Sequence, residues 1–333
     1  MSIDVSVADD AEEWNRLVER SGQSTPFHRY EALEAMTEHS GADCYPFVGR
    51  KGQEPVGLFP VFQLQKGPIT LAVSPPPDLE VSYLGPARFQ HNGMKQRKEE
   101  RRHRRFVDAI FEAVDDHVAP NFTHIRAGTE YPDPRPFIWR EFETTPRHTY
   151  HVDITPDTEE LFMSFSSDIR KNVRKARDEH DYEITEGGAD DIGEIIRHVE
   201  ERHAEQDVAY TVPPAFGEDL ATELPEGAVR AYTCRSDGAF LGGLVTLEDD
   251  DTLYRWQSVA DLDHDIAVSD VLDWELIQRA RDRGIERLDL VGANNERLCG
   301  YKAKFNPNVR TYYSLERGST LMDIAKSVYL RLQ

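Results

Sequence analysis

Apolar positions in this chain recur at two spacings, and the spacing switches repeatedly along its length. Trp14, Leu17 and Val18 share one face of a helix predicted over Ala11 to Arg20. The turn Thr25-Pro26-Phe27-His28 leads into a second helix, Tyr30 to Met36. Runs rich in β-formers follow at Cys44 to Val48 and Glu54 to Gln63. Ser74-Pro75-Pro76-Pro77 reads as a rigid turn, and Tyr83-Leu84-Gly85-Pro86 closes a strand. Phe106, Val107, Ile110, Phe111 and Val114 return at helical spacing and carry a helix to about Val118, before a strand at Thr123 to Ala127.

The second half repeats this order in outline. Thr149 to Ile154 is a strand, Thr155-Pro156-Asp157-Thr158 a helix start, and two helical segments run to about Asp178. Tyr182 to Thr185 is a strand, and a helix spans roughly Asp191 to Gln206. Val229 to Cys234 and Ala239 to Glu248 form a hairpin around Ser236-Asp237-Gly238. A strand over Thr252 to Val259 precedes a helix from Ser269 to Arg283, stopped by Gly284. Strands at Arg287 to Val291 and Thr311 to Leu315 follow, then a terminal helix over Leu321 to Leu332. The pattern predicts an α/β fold with a mixed sheet, built as tandem copies of one domain. The copies occupy 1–147 and 148–316, and 317–333 forms a helix that packs back on the first copy.

Composition narrows the class. A chain of 333 residues suits two domains. No apolar run approaches the roughly 18 residues that span a bilayer, and Met1-Ser2-Ile3-Asp4-Val5 lacks a secretory pattern, so a cytoplasmic location is expected. Cys44, Cys234 and Cys299 are scattered, which predicts neither a metal site nor a disulfide framework. The net charge of -22 opposes bulk attraction to polyanions. Arginine far outnumbers lysine, and acids crowd Glu248-Asp249-Asp250-Asp251 and Asp261 to Asp265. That balance suits either a halophilic cytosol, where molar salt shortens the Debye length to ~3 Å, or an ordinary acidic protein.

Against this acidity four segments stand out. The run Lys95 to Arg105 is strongly basic and leads into the Phe106 helix; it is either a contact for tRNA or acidic lipid headgroups, or a solvated helix start. Between Ser166 and Arg177, Arg170, Arg174 and Arg177 share one face and Ile169, Val173 and Ala176 the buried one. Arginine forks suit phosphate, although acids such as Asp178 and Glu179 could equally pair with them. Alternation along Tyr254-Arg-Trp-Gln-Ser-Val259 places Tyr254, Trp256 and Ser258 on one face, lining a pocket or filling a core. In Leu288-Asp289-Leu290-Val291-Gly292 to Tyr301-Lys302-Ala303-Lys304-Phe305, a strand ends at a glycine and a loop presents an aromatic–lysine pair. A cation fixed there can hold an anion or a developing oxyanion; the alternative is a surface hairpin lysine.

Taken in order, Arg170-x-Asn172-Val173-Arg174-Lys175-Ala176, Asp289-Leu-Val-Gly292 and Tyr301-Lys302-x-x-Phe305 resemble motifs of the Fem family of aminoacyl transferases and of the related GNAT-fold acyltransferase domain named for cellulose biosynthesis. Thr25-Pro26-Phe27 and Pro75-Pro76-Pro77…Tyr83-Leu84-Gly85-Pro86 resemble the family's first domain, so the likeness covers nearly the whole chain. The resemblance implies two tandem GNAT-like domains and transfer of an acyl or aminoacyl group to an amine. It maps the catalytic aromatic–lysine pair onto Tyr301 and Lys302, the phosphate contact onto Arg170 with Arg174 and Asn172 beside it, and a substrate-binding tyrosine onto Tyr254, with Trp256 on the same strand. Two departures touch the acceptor: Leu84 replaces the usual arginine before Gly85-Pro86, and Asn306 replaces a glycine after Phe305.

The donor stays open between acyl-CoA and aminoacyl-tRNA, with no tightly bound cofactor and no metal. A GNAT enzyme grips CoA pyrophosphate with a glycine-rich turn at a helix start, whereas Asp265-Ile-Ala-Val-Ser269 has no glycine. The expected acceptor is a small or nucleotide-linked amine, with peripheral contact to a membrane-linked substrate as a further expectation. The rivals are a CoA-dependent N-acyltransferase acting on an amino sugar or small amine, and a non-catalytic binder that retains the double fold.

Overall fold

A computed structural model describes residues 2–89 and 93–318; the predicted helix over Leu321 to Leu332 lies outside them. The chain divides into two compact units. The first comprises 1–77, 81–147 and the segment from Thr311, the second 78–80 and 148–310.

In chain order the first unit contains β1 (Asp4–Val7), α1 (Ala11–Ser21), α2 (Tyr30–Ser40), β2 (Asp43–Lys51), β3 (Glu54–Lys66), β4 (Ile69–Ser74), β5 (Ala87–Arg88), α3 (Gln96–His117), β6 (Phe122–Ala127) and α4 (Arg135–Ile138). β7 (Glu143–Asp153) leads into the second unit, which continues with α5 (Thr158–Ser164), α6 (Ser167–Glu179), β8 (Glu183–Gly187), α7 (Ala189–Ala204), α8 (Pro214–Glu223), β9 (Val229–Ser236), β10 (Ala239–Glu248), β11 (Thr252–Ala260), α9 (Val268–Asp282), β12 (Arg287–Asp289) and α10 (Glu296–Lys302). The last described strand, β13 (Asn308–Gly318), pairs antiparallel with β6 of the first unit.

The first sheet runs β1-β2-β3-β4-β6-β13 and the second β7-β12-β11-β10-β9-β8. Each has one parallel pair, β4 with β6 and β11 with β12, joined by a crossover helix, α3 or α9. Parallel neighbours require such a crossover. Recurrence of the same unit explains the repeated spacing in the sequence.

Local chemistry sets the elements. Asp10 caps α1 by accepting from the Glu13 amide at 3.0 Å, and Ser166 caps α6. The β9–β10 turn uses Asp237 and Gly238 at φ 48° and 80°, the signature of a tight hairpin. In the first core Phe106 of α3 lies on the sheet where β2 and β3 carry Gly49 and Gly57; a Cβ at either would stand 2.6 Å from its ring. The basic run is thus the opening of α3 itself, with Arg102 and His103 already turned inward. In the second unit Ile169, Val173 and Ala176 of α6 join Leu272, Leu276 and Ile277 of α9 in one cluster, as the predicted stripe requires. α8, whose Pro214 start and short apolar face escape periodicity, is an addition to the predicted elements.

Candidate active site

The two parallel pairs end differently. In the first unit the β4–β6 ladder runs from Leu71–Phe122 to Ser74–Ile125, and a bridge from Leu84 to Ala127 prolongs it. Gly85 follows at φ 64°, so close that a Cβ would lie 2.9 Å from Ala127 Cα. Its amide donates to Ser74 Oγ at 3.0 Å and its carbonyl faces the His28 imidazole at 3.2 Å. The chain's own backbone therefore fills that seam. In the second unit β11 and β12 pair only from Thr252–Arg287 to Tyr254–Asp289. β11 continues to Ala260, while the partner chain turns away at Val291 and Gly292, both at positive φ (49° and 82°). A splayed pair of this kind leaves backbone groups for a ligand to satisfy.

Lys302 sits at this splay. It is buried, and its Nζ donates to the carbonyls of Val291 at 2.6 Å and Gly292 at 2.9 Å. Asp289 Oδ1 accepts from the Val291 amide at 2.8 Å and from Thr149 Oγ1 at 2.6 Å, and Thr149 Oγ1 accepts from the Gly292 amide at 3.0 Å. These three bonds hold a β-branched residue in a left-handed conformation that it ordinarily avoids, and so aim both carbonyls at the lysine. Burial, followed by the neighbouring Arg255 charge, lowers the Lys302 pKa to about 8, against the opposing pull of Asp289 and Asp273. The sequence predicted a loop here. Instead, the Asn295 side chain accepts from the Leu298 amide at 3.3 Å and caps a helix, α10, whose last residue is Lys302.

Tyr301 is tied to the helix that crosses behind the splay. Its hydroxyl donates to Asp273 Oδ2 at 2.8 Å, and Arg255 Nε donates to Asp273 Oδ1 at 2.6 Å. Burial and the Asp273 charge push the Tyr301 phenol well up. Arg255 also donates to Ser258 Oγ at 2.9 Å. One turn earlier on α9, Asp270 accepts from Asn172 of α6 at 2.7 Å, and burial raises its carboxyl pKa. Asn172, Asp270, Asp273, Tyr301 and Arg255 thus form one hydrogen-bonded run next to Lys302.

Tyr254 and Trp256 do not join it. The predicted alternation fails at Ser258, because the β10–β11 register shifts between Val245 and Thr246, inserting an extra residue opposite β10. Arg255 and Ser258 consequently share the α9 side. Trp256 turns to the other face, edge-on to Phe216 of α8 at 5.7 Å, with its indole N–H on Glu80 O at 3.1 Å. Tyr254 donates to Asp249 in the preceding turn at 2.9 Å; burial raises that carboxyl to about 6.

Arg170 and Arg174 also stand apart from Asn172. Two residues make about 200° of helical rotation, so both arginines face α5, with Met163 Sδ 3.4 Å from Arg170 Nη1 and Phe162 5.3 Å beneath the Arg174 guanidinium. With Lys171, Lys175, Asp178 and Glu179 they line a groove of about 660 Å³. Lys304 reaches Asp168 of the same helix at 3.7 Å.

Sequence reasoning missed Thr149 and His151 and treated Asp289 as structural. His151 Nε2 lies 3.3 Å from Asp289 Oδ2, and both residues are buried. The available signal was that Thr149 and His151, two apart on one strand, share a face. Their meeting with Asp289 depends on β7–β12 register, which nothing local in the sequence specifies. Among the described residues no group of His, Cys, Asp and Glu is arranged to hold a metal ion, and no helix is long and apolar enough to cross a membrane. The three cysteines are free.

Comparison with known proteins relates this geometry to a known domain and fold. Residues 163–303, which contain the splay, α9 and α10, match the acetyltransferase (GNAT) domain. The solved structure of FemX superposes with a TM-score of 0.70 at 12% identity, covering 93% of this chain and 96% of that one. The C-terminal domain of a putative lysylphosphatidylglycerol synthetase from Agrobacterium fabrum gives 0.60 at 13% identity, over 97% and 96%. A tandem GNAT protein from the clavulanic acid biosynthesis pathway gives 0.55 at 15%, over 96% and 99%. No curated protein matches the sequence. The domain match and the fold likeness agree on a GNAT fold. The whole chain shares its fold with FemX and with a tandem GNAT protein.

Proposed function

We propose that this protein forms an amide by moving an acyl or aminoacyl group from an activated ester or thioester onto the amine of an anionic acceptor. The amine nitrogen bonds to the carbonyl carbon, the C–O or C–S bond breaks, and the proton leaving nitrogen ends on the departing oxygen or sulfur. Lys302 carries the proposal. Two of its N–H groups are fixed on Val291 O and Gly292 O, leaving a third for the oxyanion or an adjoining phosphate. Tyr301 positions that helix end through Asp273, and Asn172 extends the same support through Asp270. Arg170 and Arg174, at the cationic end of the groove on α6, are proposed to hold the acceptor's anionic part. Tyr254 and Trp256 would act on substrate only from the opposite face of β11.

An aminoacyl-tRNA or similarly activated donor is preferred over acyl-CoA. The loop before α9 carries Asp261, Asp263 and Asp265, and no side chain caps the helix. The match to the acetyltransferase domain favours the second reading, a CoA-dependent N-acyltransferase acting on an amino sugar or small amine. The test is mass spectrometry of ligands co-purified at molar salt, followed by transfer assays with the donor so found. Amide formation by the wild-type protein that collapses in Lys302→Ala is the expected result. A ligand with no amide product from any activated donor would leave a binding protein instead.

A further inference from the structure

We infer that the first unit docks on an anionic lipid surface through α3 and the end of α4. The acids within the basic run of α3 are directed away from solvent-facing cations. Glu99 pairs with Arg88 at 2.9 Å, and Glu100 accepts from Arg135 at 2.9 Å. Arg97, Lys98, Arg101 and Arg104 remain on the exposed side, while Phe106, Val107 and Ile110 are buried beneath. In a chain of net charge -22 this is a concentrated basic stripe.

Two large apolar side chains border it. Ile138 is 49% exposed and Trp139 55%. They belong beside α3 because Arg135 reaches Glu100 and Arg140 reaches Asp108, with Arg104 on the other oxygen of that same carboxylate at 3.6 Å. The Arg135 guanidinium lies 5.8 Å from the Trp139 ring centre.

Cations alone fit any polyanion, and the neighbouring Ile138 decides between partners. An RNA backbone gives an exposed aliphatic side chain nothing to bury in. A bilayer takes Trp at the headgroup level and Ile just below, with Lys and Arg on the anionic surface. α3 itself cannot insert, since its apolar face already lies in the core of the unit. The surface therefore rests on the membrane with α4's end as its wedge. This inference does not depend on the transfer chemistry.

The experiment is co-sedimentation of the full chain with vesicles of phosphatidylcholine alone and of phosphatidylcholine with about a third phosphatidylglycerol. At 0.15 M salt the wild type should pellet with the anionic vesicles and not the neutral ones. Each surface cation contributes about fivefold to partitioning, so Arg97→Glu with Arg101→Glu should lower it at least about twentyfold. Trp139→Ser with Ile138→Ser should also lower it at 0.15 M salt, and 2 M salt should release the wild type from the anionic vesicles, because the attraction of the cations is then screened. Both positions are exposed, and unchanged thermal melting of the variants confirms that they fold. Equal binding to neutral vesicles, no binding, or binding of a transfer RNA with no vesicle binding would each overturn the inference.

Discussion

In the proposed reaction Lys302 concentrates the chemistry of the second unit in one side chain, and its altered basicity yields two opposed pH effects. Lys302→Ala should cost on the order of a hundredfold in turnover, the usual loss for one oxyanion contact of ~3 kcal/mol, while far-ultraviolet circular dichroism stays unchanged. If the charged form acts, the rate falls as pH rises through about 8. Stability moves the other way. Between about 8 and the ordinary value of 10.5 the unfolded chain holds a proton that the native Lys302 has lost, so this residue's contribution to stability rises with pH. Rate and denaturation midpoint measured across pH 7 to 10 should show these opposite slopes in the wild type, and Lys302→Met should abolish the Lys302 part of both. Asp249 offers a second titration. Its carboxyl, raised to about 6, binds a proton in the native state between the ordinary value of 3.8 and 6, so its contribution is lost as pH rises through that window. Asp249→Asn keeps an acceptor for the Thr252 amide and should raise stability at pH 7 by about 1–3 kcal/mol, read as a higher denaturant midpoint; a lower midpoint would show that the Tyr254 bond needs the charge. The scarcity of lysine singled out Lys302 in the sequence. Its burial was not legible there, because it depends on Val291 and Gly292 being bent by Thr149, a residue far away in the chain.

Elements were more legible than their faces. α1, α2, α6 and the β9–β10 hairpin follow from apolar spacing and caps that lie within a few residues of each other, so local sequence suffices. The face of β11 was misread at Ser258, since a bulge adds one residue without a composition signal and reverses the alternation beyond it. On α6 the stripe Ile169, Val173 and Ala176 was correct, but periodicity could not show that Asn172 and Arg170 look toward different neighbours, α9 and α5. That separation sharpens a kinetic prediction. Arg170→Glu should raise the acceptor KM more than it lowers kcat, as expected where a contact is equal in ground and transition states. Initial rates over a range of acceptor concentrations decide it, and an unchanged KM with collapsed kcat would place Arg170 at the reacting atoms. On the β7–β12 pair, Thr149→Val removes one hydrogen bond from the buried Asp289 carboxylate and the hydroxyl acceptor of the Gly292 amide. A loss of about 1–3 kcal/mol in urea unfolding is expected, together with a loss of activity, since the Lys302 cradle loosens.

At the scale of the whole molecule, the two units give the same topology opposite uses. In the first, Leu84 and Gly85 fill the seam between β4 and β6; in the second, the corresponding seam between β11 and β12 parts after Tyr254 and Asp289. Duplication was legible as a repeated order of helices and strands, whereas the filling of one seam needs a bridge between residues that pattern cannot pair. The net charge of -22 then bears on the donor. Asp261, Asp263 and Asp265 in the loop before α9 repel a pyrophosphate, and side chains stand where glycines would admit one to the helix amides. Molar salt removes most of the repulsion and leaves the crowding. Calorimetric titration with acetyl-CoA at 0.15 M and 2 M salt separates the two effects. Crowding predicts binding weaker than micromolar at both concentrations, with free CoA no better. Weak binding at low salt that becomes micromolar at 2 M would assign the barrier to charge alone. Micromolar binding at both, competed by free CoA, would reverse the donor preference and make the CoA-dependent acyltransferase the better account of this chain.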